Sequence, residues 1–149
     1  MEDIMVNTHS GGCDHIRTYL DKQPFDIHIC HCSVCKRATG QDTTHLALFK
    51  HADLTVENLE GVNFQPFNDH NVDGPLVLCT CAVCARLIMI DDKEKRVRAI
   101  VPNLMGYDAT NFPATYHAFY DCVDNSPKLI DGLPHYESFP PDFALPDPA

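Results

Sequence analysis

The chain has no recognisable secretory leader, no membrane-length apolar run and no Asn-x-Ser/Thr acceptor site. Met1-Glu2-Asp3-Ile4-Met5-Val6-Asn7 offers neither a basic n-region nor an apolar h-region. No apolar run approaches the roughly 20 residues of a membrane span. The expectation is therefore an intracellular protein of the cytosol or nucleus, not a secreted one, with no membrane partner. Basic residues are also scarce, with 11 Lys and Arg against 21 Asp and Glu, which leaves a net charge of −10. A nucleic-acid binder needs a basic patch, and the longest basic cluster is the mixed Lys93-Glu94-Lys95-Arg96-Val97-Arg98. Its alternation reads as a solvated strand edge. Nucleic acid is not an expected partner. Nothing in the residues specifies an oligomeric state.

Helix-length periodicity, internal repeats and linkers are missing too. Short alternating segments separated by turn residues take their place. Candidate strands cover Ile16–Leu20, Phe25–Cys30, Thr43–Phe49, Leu54–Val56, Pro75–Cys81 and Tyr116–Tyr120, and residues 86–101 read as a hairpin. His9-Ser10-Gly11-Gly12 reads as a loop, and Lys36 to Gly40 as a helical turn ended by its glycine. The last sixteen residues carry five prolines, so the tail from Asp131 is expected to run extended over the surface. One mainly β domain over residues 1–149 is predicted, its core spanning about 12–140.

Cysteine, by contrast, is plentiful. A chain of 149 residues with 44% hydrophobic residues can bury a core without disulfides. In a reducing compartment its eight cysteines therefore read as metal ligands or reactive thiols. They fall mostly into three groups: Cys13 with His15, then Cys30/Cys32/Cys35, then Cys79/Cys81/Cys84. In an extended segment Cys30 and Cys32 project to the same side, and the x-x step lets the chain turn so that Cys35 returns to them. Clustered thiolates are soft donors whose usual intracellular partner is zinc. Cys13, His15, Cys81 and Cys84 can close a tetrahedral structural site, with Cys79 in reserve. The central three lack a fourth local ligand, and a site with three protein ligands can be catalytic. One or two zinc ions per chain are expected.

His28, His45 and His117 are candidates for that fourth ligand or for a general acid/base, against the ordinary reading of each as a strand histidine. His31 is expected to point away from Cys30 and Cys32. Cys122 reads as a small buried hydrophobe. Zinc bound by three thiolates carries one negative charge in excess, which makes it a weak Lewis acid but a good soft centre for a thiol. Lys36 and Arg37 can offset that charge and steer an anionic substrate.

Cys30-His31-Cys32-Ser33-Val34-Cys35-Lys36-Arg37-Ala38-Thr39-Gly40 is the most specific segment. With Cys13-Asp14-His15 before it, and Cys81-Ala82-Val83-Cys84 and Asp131-Gly132-Leu133-Pro134 after it, the chain resembles the glutathione-dependent formaldehyde-activating family. That family is grouped with CENP-V-like proteins and has the Mss4-like β-tent fold. The resemblance implies a catalytic zinc on Cys30, Cys32 and Cys35 and a structural zinc on the outer pairs. It also implies glutathione as a cosubstrate. The family's outer pairs are each followed by glycine, which lets the knuckle turn tightly and aim N–H groups at sulfur. Here Ile16 and Ala85 stand at those places.

The leading expectation is a zinc-dependent lyase-like enzyme acting on a carbon–sulfur bond of a small molecule such as a glutathione adduct. One alternative uses the open metal for elimination, decarboxylation or hydration of a non-thiol metabolite. Another is a non-catalytic, zinc-stabilised protein-binding module.

Overall fold

The computed structural model describes residues 10–68, 72–119 and 132–148. Cys122, Tyr120 and Asp131 lie outside the described residues. Among the described residues ten strands form two sheets. Strands β1 (Ser10–Gly12), β2 (Arg17–Leu20) and β5 (Leu54–Val56) make the smaller, antiparallel sheet in the order β1-β2-β5. The larger sheet holds β3 (Asp26–Cys30), β4 (Thr44–Lys50), β6 (Val62–Pro66), β7 (Leu76–Cys81), β8 (Leu87–Asp92), β9 (Val97–Ile100) and β10 (His117–Ala118). Its order is β10-β3-β4-β9-β8-β7-β6, antiparallel except where β10 runs parallel to β3. A single α-helix among the described residues, α1 (Ser33–Thr39), follows β3.

The mainly β, single-domain expectation holds, and its basis is burial. Ala47 and Phe49 on β4, Ile88 and Met89 on β8, and Ile100 on β9 are fully buried. Phe112 packs edge-on against Phe49 and Tyr107. Leu20, Leu54 and Ile16 bring the smaller sheet into the same core. Burying such side chains contributes about 1.5–3 kcal/mol each relative to exposure. The smaller sheet meets the segment that follows β9 at glycines. Gly12 donates to the Met105 carbonyl at 2.8 Å, and a Cβ on Gly106 would lie 2.9 Å from the Gly12 oxygen. Only hydrogen fits there.

Three expectations need correction. Ser10–Gly12 is a strand, not a loop, because pairing with Arg17–Tyr19 satisfies its backbone. The Lys93–Arg98 segment is no strand edge: Lys93–Lys95 form an exposed turn, and Val97 and Arg98 belong to β9, which lies between β4 and β8 inside the sheet. Its arginines are held by acids. Asp92, with its side chain fully buried, takes Arg96 Nε at 2.8 Å and the backbone N–H groups of Glu94 and Arg96. Burial alone would raise the Asp92 pKa, but the Arg96 guanidinium and the two N–H groups outweigh it and hold the carboxyl below its ordinary value. Arg98 meets Asp91 at 3.1 Å and donates to the Leu54 carbonyl, joining the two sheets. The last correction concerns Val62–Pro66, an edge strand absent from the sequence reading. Val62 and Phe64 alternate with Asn63 and Gln65, but the run is short, ends at Pro66 and buries only Val62.

Part of the tail pairs with β10. His117 donates to the Pro134 carbonyl and Tyr136 donates back to the His117 carbonyl, both at 2.9 Å. This pairing continues from β10, which covers only His117 and Ala118 of the expected strand.

Candidate metal centres

Strand β3 delivers Cys30 into the core at 3% exposure. Cys32 is still extended, with φ −77° and ψ 153°, and serves as the N-cap of α1. Its sulfur accepts the Cys35 N–H at 3.3 Å while its carbonyl takes the Lys36 N–H. One helical turn then carries Cys35 back over Cys30 and Cys32. Gly40 closes the helix in the left-handed region at φ 75°, donating to the Lys36 carbonyl at 2.7 Å. All three sulfurs lie within 4.8 Å of one another. Tetrahedral Zn–S bonds of about 2.3 Å place sulfurs about 3.8 Å apart, so the set fits such an ion. Among the described residues no His, Cys, Asp or Glu adds a fourth ligand atom to this set.

Three thiols so close do not ionise independently. Cys32 is drawn down to about 2, first because Cys30 and Cys35 donate to its sulfur and further by the backbone N–H groups of Cys35 and Val34. Cys30 is pushed up to about 12, chiefly by its hydrogen bond to Cys32, and Cys35 is raised by its bonds to both. A divalent ion bound there would favour the thiolate form of all three and release the protons they carry.

The candidate histidines separate by sheet face. His28, two residues before Cys30, shares its face, whereas Ile29 and its neighbours His45 and His117 lie on the other. His45 Nε2 is bonded to the Phe112 carbonyl, and burial lowers its pKa. His31 turns away from the cysteines, as expected, and meets His117 at 2.9 Å between Nε2 and Nδ1. His28 is fixed by neighbours. Its Nδ1 lies 2.6 Å from Asp26 Oδ1, the Tyr116 hydroxyl donates to Asp26 Oδ2 at 2.8 Å, and the Tyr116 ring stacks on the imidazole. Burial first, and then the Asp26 bond and charge, raise the Tyr116 hydroxyl well above its ordinary value. Asp26 and Tyr116 were absent from the sequence reading. Asp26-Ile27-His28 alternation could have suggested the first, but only tertiary structure supplies the second. Lys36 pairs with Asp42 at 3.6 Å on the surface, so part of its charge is already answered, and Arg37 follows it in the last turn of α1.

The outer ligands come from two tight turns. Cys13 and His15 lie between β1 and β2, Cys81 ends β7, and Cys84 sits in the turn to β8. Their four ligand atoms also lie within 4.8 Å of one another. The turns close through Cys13 N–H to the Ile16 carbonyl and Ala85 N–H to the Cys81 carbonyl. N–H groups still aim at sulfur without the expected glycines, from His15 to Cys13 and from Val83 to Cys81, each at 3.4 Å. The backbone N–H of Cys84, with help from Val83, lowers Cys81 to about 7. Cys79 does not join this set. It is fully buried and raised to about 12 by that burial and then by Asp91, so it belongs to the core.

The two replacements behave differently. Ile16 is 2% exposed and seats its turn in the core. Ala85 instead adopts φ 65°, where a Cβ meets the following carbonyl oxygen at a cost of about 1–2 kcal/mol. Glycine relieves that strain and gives back about half through its freer unfolded chain. Ala85→Gly should therefore raise the melting temperature by about 2 °C, measured calorimetrically. A fall of that size would mean the alanine methyl contributes more than its backbone costs.

The glutathione-dependent formaldehyde-activating enzyme model matches residues 6–121. No curated protein matches the chain. A crystal structure of a Rhodobacter sphaeroides protein matches it at 17% identity, covering 64% of this chain and 86% of that one, with a TM-score of 0.44.

Proposed function

The chain belongs to the glutathione-dependent formaldehyde-activating enzyme family, and on that premise we propose that it is a zinc enzyme making or breaking a carbon–sulfur bond in a small-molecule thiol adduct. The observation that carries this reading is the three-thiol set on Cys30, Cys32 and Cys35 with no fourth ligand atom from the described residues. Zinc held there would supply a soft site at which a substrate thiol is kept as its thiolate.

The chain's own groups do the rest. The Cys35 N–H on Cys32 keeps one sulfur oriented before metal arrives. Asp26 accepts from His28 Nδ1–H, which leaves the basic lone pair on Nε2. His28 lies about 7 Å along β3 from Cys30 on the same face, and we assign it the proton transfer. In the addition direction a thiol sulfur bonds to the aldehyde carbon, the C=O π bond breaks, and the thiol proton ends on oxygen. Lys36 and Arg37, in the last turn of α1, stand as the cations near an anionic thiol such as glutathione. The outer set, with ligands from both sheets, is proposed to hold a second, structural zinc.

Two measurements test this. Elemental analysis of the purified protein should find two zinc ions per chain. Exchange NMR of a glutathione and formaldehyde mixture should show the adduct forming and decaying faster when zinc-loaded protein is added. Two zinc ions with no acceleration would remove the thiol-adduct reading and leave the metal sites standing.

A further inference from the structure

A cavity of about 350 Å³ lies apart from both cysteine sets. The residues that line it include Phe25, Tyr116, Tyr136 and Phe143 and the acids Asp26 and Asp142. Among its described lining residues there is no lysine, arginine or histidine. Tyr116 and Tyr136 meet nearly at right angles, with an interplanar angle of 80° and centroids 5.7 Å apart, and so form a corner. Ring faces carry the negative side of an aromatic quadrupole, and two carboxylates deepen that potential. An anion is repelled here. A neutral apolar molecule would leave the carboxylates unanswered.

We propose that this cavity binds a small alkylammonium ion, its methyl or methylene groups against the rings and its charge facing Asp26 and Asp142. Asp26 is already ordered by His28 and by the Tyr116 hydroxyl, so its charge is presented in one place. That bond also occupies the Tyr116 hydroxyl, and His28 covers one face of the ring, so the ligand meets Tyr116 at its corner with Tyr136. Asp142 is exposed and supplies charge towards solvent. The tail walls are anchored as well, Tyr136 by its N–H to the His117 carbonyl and Phe143 by its N–H to the Pro140 carbonyl. Asp26 is four residues from Cys30 along β3, about 13 Å, so occupancy does not depend on metal. The net charge of −10 favours a cation at longer range.

The test is a pair of NMR titrations of the zinc-loaded full chain, following Tyr and Phe ring resonances at constant ionic strength. One uses choline; the other uses 3,3-dimethylbutan-1-ol, its uncharged isostere. Choline should give saturable shifts and the alcohol should bind at least about threefold more weakly. Asp142→Asn and Tyr136→Leu should each weaken choline by a similar factor, with zinc content and the remaining amide spectrum unchanged. The proposal is overturned if the alcohol binds as tightly as choline, if the choline response stays linear, or if both variants titrate like the parent. None of these results bears on turnover at the three-cysteine site.

Discussion

Cys81→Ala is expected to unfold the domain near room temperature or to lower its melting temperature by at least about 15 °C. The ligands Cys13 and His15 sit at the turn between two strands of the smaller sheet, while Cys81 and Cys84 end one hairpin of the larger. A metal bound across them fastens the sheets together, and its binding free energy counts as folding free energy. Domains of this size hold only about 5–15 kcal/mol in total. Losing about 5 kcal/mol at roughly 3 °C per kcal/mol gives the stated shift. Circular dichroism melts with and without a zinc chelator provide the check. The chelator should lower the parent's melting temperature and leave the variant's almost where it was. A variant that melts like the parent, and still responds to chelator through the same transition, would show that the outer set is not where metal stabilises the fold.

Cys32→Ala should do the opposite: it should leave a folded protein and remove turnover. Cys32 belongs to one short connection between β3 and α1, and no strand of the smaller sheet depends on it. Its structural share is the N-cap bond to the Cys35 N–H, about 1 kcal/mol or roughly 3 °C, and the metal adds little because ligands so close in sequence also bind it in the unfolded chain. Its chemical share is one of three ligands, so zinc should fall from two per chain to one. Adduct exchange should drop by at least about a thousandfold, since a metal centre supplies several kcal/mol of transition-state stabilisation. Cys32→Ser separates the two shares, because serine restores the cap without the soft ligand. It should melt close to the parent and remain inactive. Recovery of exchange in Cys32→Ser would put the chemistry elsewhere.

What could be read directly from the residues was chiefly local. Cys30, Cys32 and Cys35 are close in sequence, and alternation plus one helical turn determines their convergence. The outer set joins positions nearly seventy residues apart, yet it was readable because few residue types ligate zinc and the remaining pairs were few. Strands such as Asp26–Cys30 and Thr44–Lys50 announced themselves by β-branched and alternating residues. Val62–Pro66 did not, because its alternation covers only Val62 and Phe64 before a proline ends it. Ser10–Gly12 was hidden for another reason, since two glycines read as a loop until a partner strand supplies their hydrogen bonds. The histidines show the same limit. Sequence presented His28, His45 and His117 as equals, and only the register of three strands placed one with Cys30 and two behind the sheet.

The position of β10 bears on how the protein avoids associating with itself. A strand at the margin of a sheet displays unpaired N–H and C=O groups that invite another chain. Strand β3, which leads into the three cysteines, would be such a margin if the chain stopped after Phe112. Instead His117 and Ala118 cover it, and the Pro134–Tyr136 segment covers them in turn. The opposite margin is β6, where Phe64 stands half exposed and Pro66 removes one donor at the strand end. Protection is thus unequal. The margin beside the three clustered sulfurs is closed by the chain's own backbone, and the far one relies on a proline and polar side chains.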